Sequence, residues 1–175
     1  MSRQQPVRAG LVHLTLVWLA CFAGQAGAAT ATHPILGREA PDFALHSAKG
    51  PNVRLSEYRG QVVVISFWGS GCATCGSQLQ ALERSYRTFR PAGLEVLGVN
   101  VDDDQRRAEA AAGGYPVQFP ILLDPSKSVS REYRVDNLPM TLLIDRDGQV
   151  RYVHRDFSKA DEALYLEELR GLLNE

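Results

Sequence analysis

Residues 61–75 limit what this chain can fold into more than any other stretch. Val62-Val63-Val64-Ile65 is an unbroken apolar run rich in β-branched side chains, the pattern of a strand buried on both faces. Phe67-Trp68-Gly69-Ser70-Gly71-Cys72-Ala73-Thr74-Cys75 follows, and then Leu79, Leu82, Tyr86 and Phe89 at helical spacing. Two cysteines therefore stand where a buried strand hands over to a helix. A thiol at a helix N-terminus faces unpaired backbone N–H groups and the positive end of the dipole, and both favour thiolate. A second thiol three residues on is expected one turn later on the same face, within reach of a disulfide where the side chains converge. The pair reads as a dithiol/disulfide redox centre. Two other readings are a metal site and a structural staple. A staple closing so short a loop removes little unfolded-chain entropy, because that gain grows with loop length.

The 175 residues suit one domain. The formal net charge is −1, and no Lys/Arg run forms a stripe, which argues against nucleic acid as a partner. The N-terminus has the form of an export signal. Arg3 and Arg8 supply a basic start, Leu11 to Phe22 is apolar apart from His13 and Thr15, and Ala26-Gly27-Ala28 is a small-x-small cleavage pattern. The expected division is a signal peptide at 1–28, a linker at 29–39 and a folded domain at 40–175. Removal of 1–28 takes away two cations and no acid, moving the net charge from −1 to −3. The alternatives are an uncleaved anchor at 11–28 or lipidation at Cys21, although Trp18-Leu19 fits a small-residue lipidation box poorly. After cleavage only the Cys72–Cys75 pair remains.

Along the rest of the chain, Ala40 to Leu45 and Val53 to Leu55 read as a hairpin around the turn residues 46–52. Ser56 is placed to cap a single helical turn ended by Gly60. Strand 61–67 and a helix to about Arg90 come next, then strand 94–101. Asp102-Asp103-Asp104 reads as a helix cap with dipole-complementing acids for a helix over about 104–112, rather than as a metal cluster. Phe119 to Leu123 is strand-like, and 126–133 fits a short helix. Met140 to Ile144 is a third core strand, and Asp145-Arg146-Asp147-Gly148 turns it back into strand 149–154. Leu164, Leu166, Leu169 and Leu172-Leu173 mark a final amphipathic helix over about 159–173. This order makes an α/β sandwich with a mixed sheet.

Phe67-Trp68 before Cys72-x-x-Cys75, together with Leu138-Pro139 ahead of a strand ending Leu143-Ile144-Asp145 and the Asp147-Gly148 turn, resembles the thioredoxin superfamily. Ala40-Pro41-Asp42-Phe43 and Leu55-Ser56-Glu57-Tyr58-Arg59-Gly60 narrow the resemblance to exported thiol–disulfide oxidoreductases of the TlpA/ResA/DsbE type. It covers roughly 40–173. It implies a three-layer thioredoxin-like sandwich with an N-terminal β-hairpin and a central β/α insertion at about 113–133. It also implies a redox-active Cys72–Cys75 disulfide, with Cys72 as nucleophile and Cys75 as resolving thiol. Pro139 is implied to be cis and beside the pair, with the Leu138 backbone offered to an extended substrate segment. Trp68, Gly71, Leu138 and Pro139 are the expected substrate-binding positions.

The activity implied is reduction of disulfides on exported proteins, apo-cytochrome c among them, by a monomer recharged through a membrane thiol relay, without cofactor or metal. Three positions depart from the family pattern. Gly71 replaces a usual Trp, Gly76 a frequent Pro, and Gln78 a Glu that could handle the buried thiol's proton, which Gln cannot do because it does not ionise. Two rivals come from other chemistries. A peroxide reductase of the same superfamily needs Thr or Ser three residues before its reactive cysteine, where this chain has Gly69. A copper chaperone could add His154 to the two thiolates, although His154 also reads as an ordinary strand residue. Asp42, Glu57 and Arg59 read as solvated surface that could shape a docking face.

Overall fold

In the computed structural model, β3 (Val62–Trp68) is an interior strand of a sheet that has seven strands among the described residues, and all seven of its residues are buried. It is paired on both sides. It runs parallel to β4 (Leu94–Asn100), in register from Val62–Leu94 to Trp68–Asn100, and antiparallel to β6 (Met140–Ile144). The model describes Met1 and residues 32–175; the expected signal peptide, its cleavage site and Cys21 lie outside the described residues. The remaining strands are β1 (Ala44–Ser47), β2 (Val53–Arg54), β5 (Ile121–Leu123) and β7 (Val150–Arg155), and the sheet order is β2-β1-β5-β4-β3-β6-β7.

Strand alternation sends the β3 side chains into two apolar layers. Val62 and Val64 pack with Leu79 and Leu82 of α1 (Cys75–Phe89) and with Leu169 and Leu172 of α4 (Asp161–Leu173). Val63, Ile65 and Phe67 face Phe43, Tyr133 and Val129 of α3 (Ser128–Glu132). β5 runs parallel to β4 and antiparallel to β1, so the expected insertion joins the hairpin to the main sheet. α2 (Gln105–Gly113) precedes it.

Several local expectations change. The hairpin's first strand starts at Ala44, because Ala40 to Phe43 is extended but unpaired as a strand. Ser56 is a donor there and caps nothing: its N–H and hydroxyl both bond to the Asp42 carboxylate, at 2.9 and 3.1 Å. Within the segment read as linker, His33 and Ile35 are buried. The Gly37 N–H donates to Val150 O, and Val150 N–H donates to Arg38 O. On α4 the buried face is Tyr165, Leu169 and Leu172, while Leu164 is exposed. The Leu pattern misplaced that stripe because Tyr165 supplies its first apolar contact. The Asp147–Gly148 turn forms as read, with Gly148 at φ 83°, a conformation that favours glycine.

At the end of the sheet remote from the cysteines, Glu95 is enclosed next to Tyr86. Burial raises its pKa, against the opposing pull of the Tyr86 hydroxyl, the Val96 N–H and Arg90. Burial, and then Glu95, push the Tyr86 phenol up to about 12. A carboxyl raised in the folded state holds its proton there after the unfolded chain has lost it. Stability therefore falls as pH rises from the ordinary Glu value through the raised one. Glu95→Gln is expected to flatten that fall and to be more stable than the parent at neutral pH. Urea denaturation at about pH 4 and pH 7 checks this across the window above the unfolded Glu pKa; parallel pH slopes would contradict it.

Candidate active site

The parallel register of β3 and β4 decides what surrounds the cysteines. Both strands leave the sheet at the same end, so Asp102, two residues past β4, lies against the loop that follows β3. Its carboxylate accepts from the Ser70 N–H at 3.0 and 3.1 Å, from the Ser70 hydroxyl at 3.0 Å and from Asn100 Nδ2 at 2.9 Å. The three aspartates read as one capping unit in fact divide their work. Asp104 caps α2 by accepting from Arg107 N–H, and Asp103 pairs with Lys127 at 2.6 Å. Asp102 braces the loop, a role visible only once Ser70 is placed beside it.

From Gly69 the chain turns, with Cys72 N–H donating to Gly69 O at 3.2 Å. Cys72 and Cys75 form a disulfide with Cα atoms 5.4 Å apart. α1 begins at Cys75, so Cys72 sits in the loop ahead of the helix and not in its first turn, as the spacing had implied. Thr74 at the cap makes no side-chain bond, and no acid occupies the first turn. The positive end of the dipole is left facing the sulfurs. Cys72 is half-buried, whereas Cys75 has no exposed surface.

A groove of about 720 Å³ opens beside Cys72, walled by Gly69, Gly71, Val101, Asp102, Asn137 and Leu138. β6 is antiparallel to β3, and its first residue Met140 pairs with Phe67, so the segment entering it arrives at the same end. The Leu138–Pro139 peptide bond is cis. Leu138 is half-buried on the groove wall, and Pro139 is buried behind it. Gly71 is exposed, with nothing within 4 Å of where a Cβ would stand. Trp68 is not on the wall. It has no exposed surface and packs in the core with Cys75 and Leu79, its indole N–H without a hydrogen-bond partner among the described residues. Fully buried and off the groove, it does not take the substrate-binding place expected of it.

Gln78, where the resemblance led one to expect a glutamate, is fully buried. Its carbonyl accepts from the Ser66 hydroxyl at 2.8 Å, and its amide donates to Thr141 Oγ1. The two ends of one amide thus tie α1 to β3 and β6. His154, the candidate third copper ligand, pairs through Nε2 with Glu168 at 2.6 Å and stacks on Tyr165. Asp42 and Arg59 hold structural bonds, Asp42 to Arg54 and Ser56 and Arg59 to Glu39 and Asp147.

Two substitutions test this construction. Asp102→Ala removes three bonds to Ser70. It should lower stability by about 1–2 kcal/mol, the scale of hydrogen bonds to a charged group near the surface, and should let dithiothreitol reduce the disulfide faster. Gln78→Glu places a carboxyl in a fully buried site, where burial raises its pKa. Stability should then decline with rising pH above about 4.3, the unfolded Glu value, more steeply than in the parent, where Glu95 alone contributes such a fall. Denaturation midpoints across pH report it.

Residues 36–153 match the AhpC/TSA family. The thiol-disulfide oxidoreductase ResA of Geobacillus kaustophilus (strain HTA426) is 35% identical over 136 residues, spanning 77% of this chain and 78% of that protein. ResA of Bacillus subtilis (strain 168) is 33% identical over 114 residues, 65% of this chain and 64% of that one. The crystal structure of a Chlorobium tepidum chain named for the thiol:disulfide interchange protein DsbE aligns with a TM-score of 0.76 at 32% identity, covering 79% of this chain and 97% of that chain. The mixed sheet flanked by helices is the thioredoxin-like fold of that neighbour. The chain belongs to the AhpC/TSA family, and within it to the thioredoxin-like thiol-disulfide oxidoreductases of the ResA/DsbE type.

Proposed function

We propose that this protein reduces disulfides of exported proteins, with Cys72 as the attacking thiolate and Cys75 as the resolving thiol. The difference in exposure carries this reading: Cys72 reaches the groove, and Cys75 is wholly enclosed. A bulky disulfide substrate can meet only the first sulfur. The Cys72 thiolate attacks one substrate sulfur and expels the other as a thiolate. Cys75, on losing its proton, attacks Cys72 and expels the second substrate thiolate. Two electrons pass from the dithiol to the substrate disulfide, and the protons given up by the two cysteines balance those taken up by the two substrate thiols. Ala73 and Thr74 bring no charge, so the thiolate relies on the helix N-terminus.

The export-like leader supports an extracytoplasmic site of action, periplasmic or anchored at the membrane. In an oxidising compartment the reduced form must be restored, and a membrane thiol relay is the partner we propose for that step. Apo-cytochrome c is the substrate that the family resemblance favours, and the enzyme is proposed to act as a monomer. A peroxide-reducing role is disfavoured by the loop itself: Gly69 offers no hydroxyl, and the neighbouring Ser70 hydroxyl is committed to Asp102.

Trapping tests the assignment. A Cys75→Ser variant expressed with its leader should accumulate mixed disulfides through Cys72, seen as reducible higher-mass species whose partners identify substrate and direction. Equal trapping by Cys72→Ser would reverse the two roles, and cytoplasmic partners alone would remove the exported site of action.

A further inference from the structure

Tyr115 lies in the link between α2 and β5, within the central insertion, and its ring is half-buried. It meets both anchors of the cysteine loop. On one side it stands edge-on to Trp68, the last residue of β3, with ring centroids 5.4 Å apart and planes at 89°. On the other it lies over Gly76, the residue after Cys75. A Cβ at Gly76 would come 2.9 Å from the ring's Cε1 and 3.2 Å from its hydroxyl oxygen, closer than carbon atoms pack at ease. Only glycine at 76 admits the ring in this position, which gives a physical reason for the departure from the family's proline. At the other end Asp102 holds Ser70, but the space around Gly71 is open. The Cys75 end is therefore packed between strand and insertion, while the half-buried Cys72 borders the groove.

We infer that Tyr115 is a positioning residue for Cys75, holding the buried sulfur in line to resolve the mixed disulfide while Cys72 stays free to reach substrate. This rests on the assignment of Cys75 as the resolving thiol. Resolution is an in-line displacement at the Cys72 sulfur. Its rate depends on keeping the attacking atom in place, and a displacement of about 1 Å can cost up to about a hundredfold. Attack by Cys72 on an incoming disulfide makes no such demand on Tyr115.

A symmetric aryl disulfide, dithiobis(nitrobenzoate), separates the two steps. The reduced protein releases one coloured thiolate when Cys72 attacks and a second when Cys75 resolves. Tyr115→Ala and Tyr115→Leu should leave the first phase within about twofold and slow the second by about tenfold, the scale of such misplacement. Tyr115→Phe should keep the parent's second phase, since the ring makes the Trp68 contact and the nearest approach to Gly76. Gly76→Ala should slow the second phase in the parent and add nothing in the Tyr115→Ala background, as expected of two groups in one contact. An unchanged second phase in folded Ala and Leu variants would overturn the inference, and so would equal slowing of both phases, which would mark a general loosening. A parent protein with no second phase would instead refute the assignment of Cys75.

Discussion

The in-register parallel pairing of β3 with β4 is the constraint on which the molecule depends. Seven aligned residues on each strand are buried, and each large apolar side chain so enclosed contributes about 1.5–3 kcal/mol. Parallel strands leave a sheet at the same end, so this pairing brings the cysteine loop and Asp102 together. β6 pairs antiparallel on the other side of β3, and its entry segment, Leu138-Pro139, therefore arrives at that end too. Three stretches far apart in the chain meet there because one strand has two neighbours of opposite sense. The groove lies outside the carboxyl ends of the parallel strands, where open α/β sheets present their sites.

Around this junction the supports are polar below and aromatic at the side. Gln78 ties α1 to β3 and β6 through Ser66 and Thr141, all three fully buried. A satisfied buried amide fixes the helix against the sheet without bringing a charge into the interior. A carboxyl in the same place would couple the redox pair to pH through its own ionisation. Trp68 lies in the same buried layer as Cys75, and Tyr115 leans on Trp68 and on Gly76. The surroundings of the disulfide are thus unequal, firm at the enclosed sulfur and open at the half-buried one.

Much of this was legible in the chain. The β3 run, the α1 periodicity, the Asp147–Gly148 turn and the cysteine spacing each reflect short-range rules of alternation, helical period and turn chemistry. Misreadings arose where a long-range partner competed with a local one. Ser56 has cap chemistry, but Asp42, 14 residues away, takes both of its donors. Asp102 looked like part of a cap because Asp104 two residues later is one; its actual donor, Ser70, is 32 residues distant. Trp68 was expected from the resemblance among the substrate-binding positions, yet strand alternation turns it into the buried layer shared with Leu79.

By itself, then, the order of residues determined the strand-to-helix handover, the placing of two thiols at it and the α/β class, since all of these depend on neighbours within a few positions. Tertiary structure alone decided which aspartate braces the loop and why glycine follows Cys75. Those outcomes depend on Asp102, Tyr115 and Leu138, which reach the cysteines only after β4, the insertion and β6 have been packed around β3. Contacts of that kind are set by sheet register and layer packing, quantities that no local window of sequence contains.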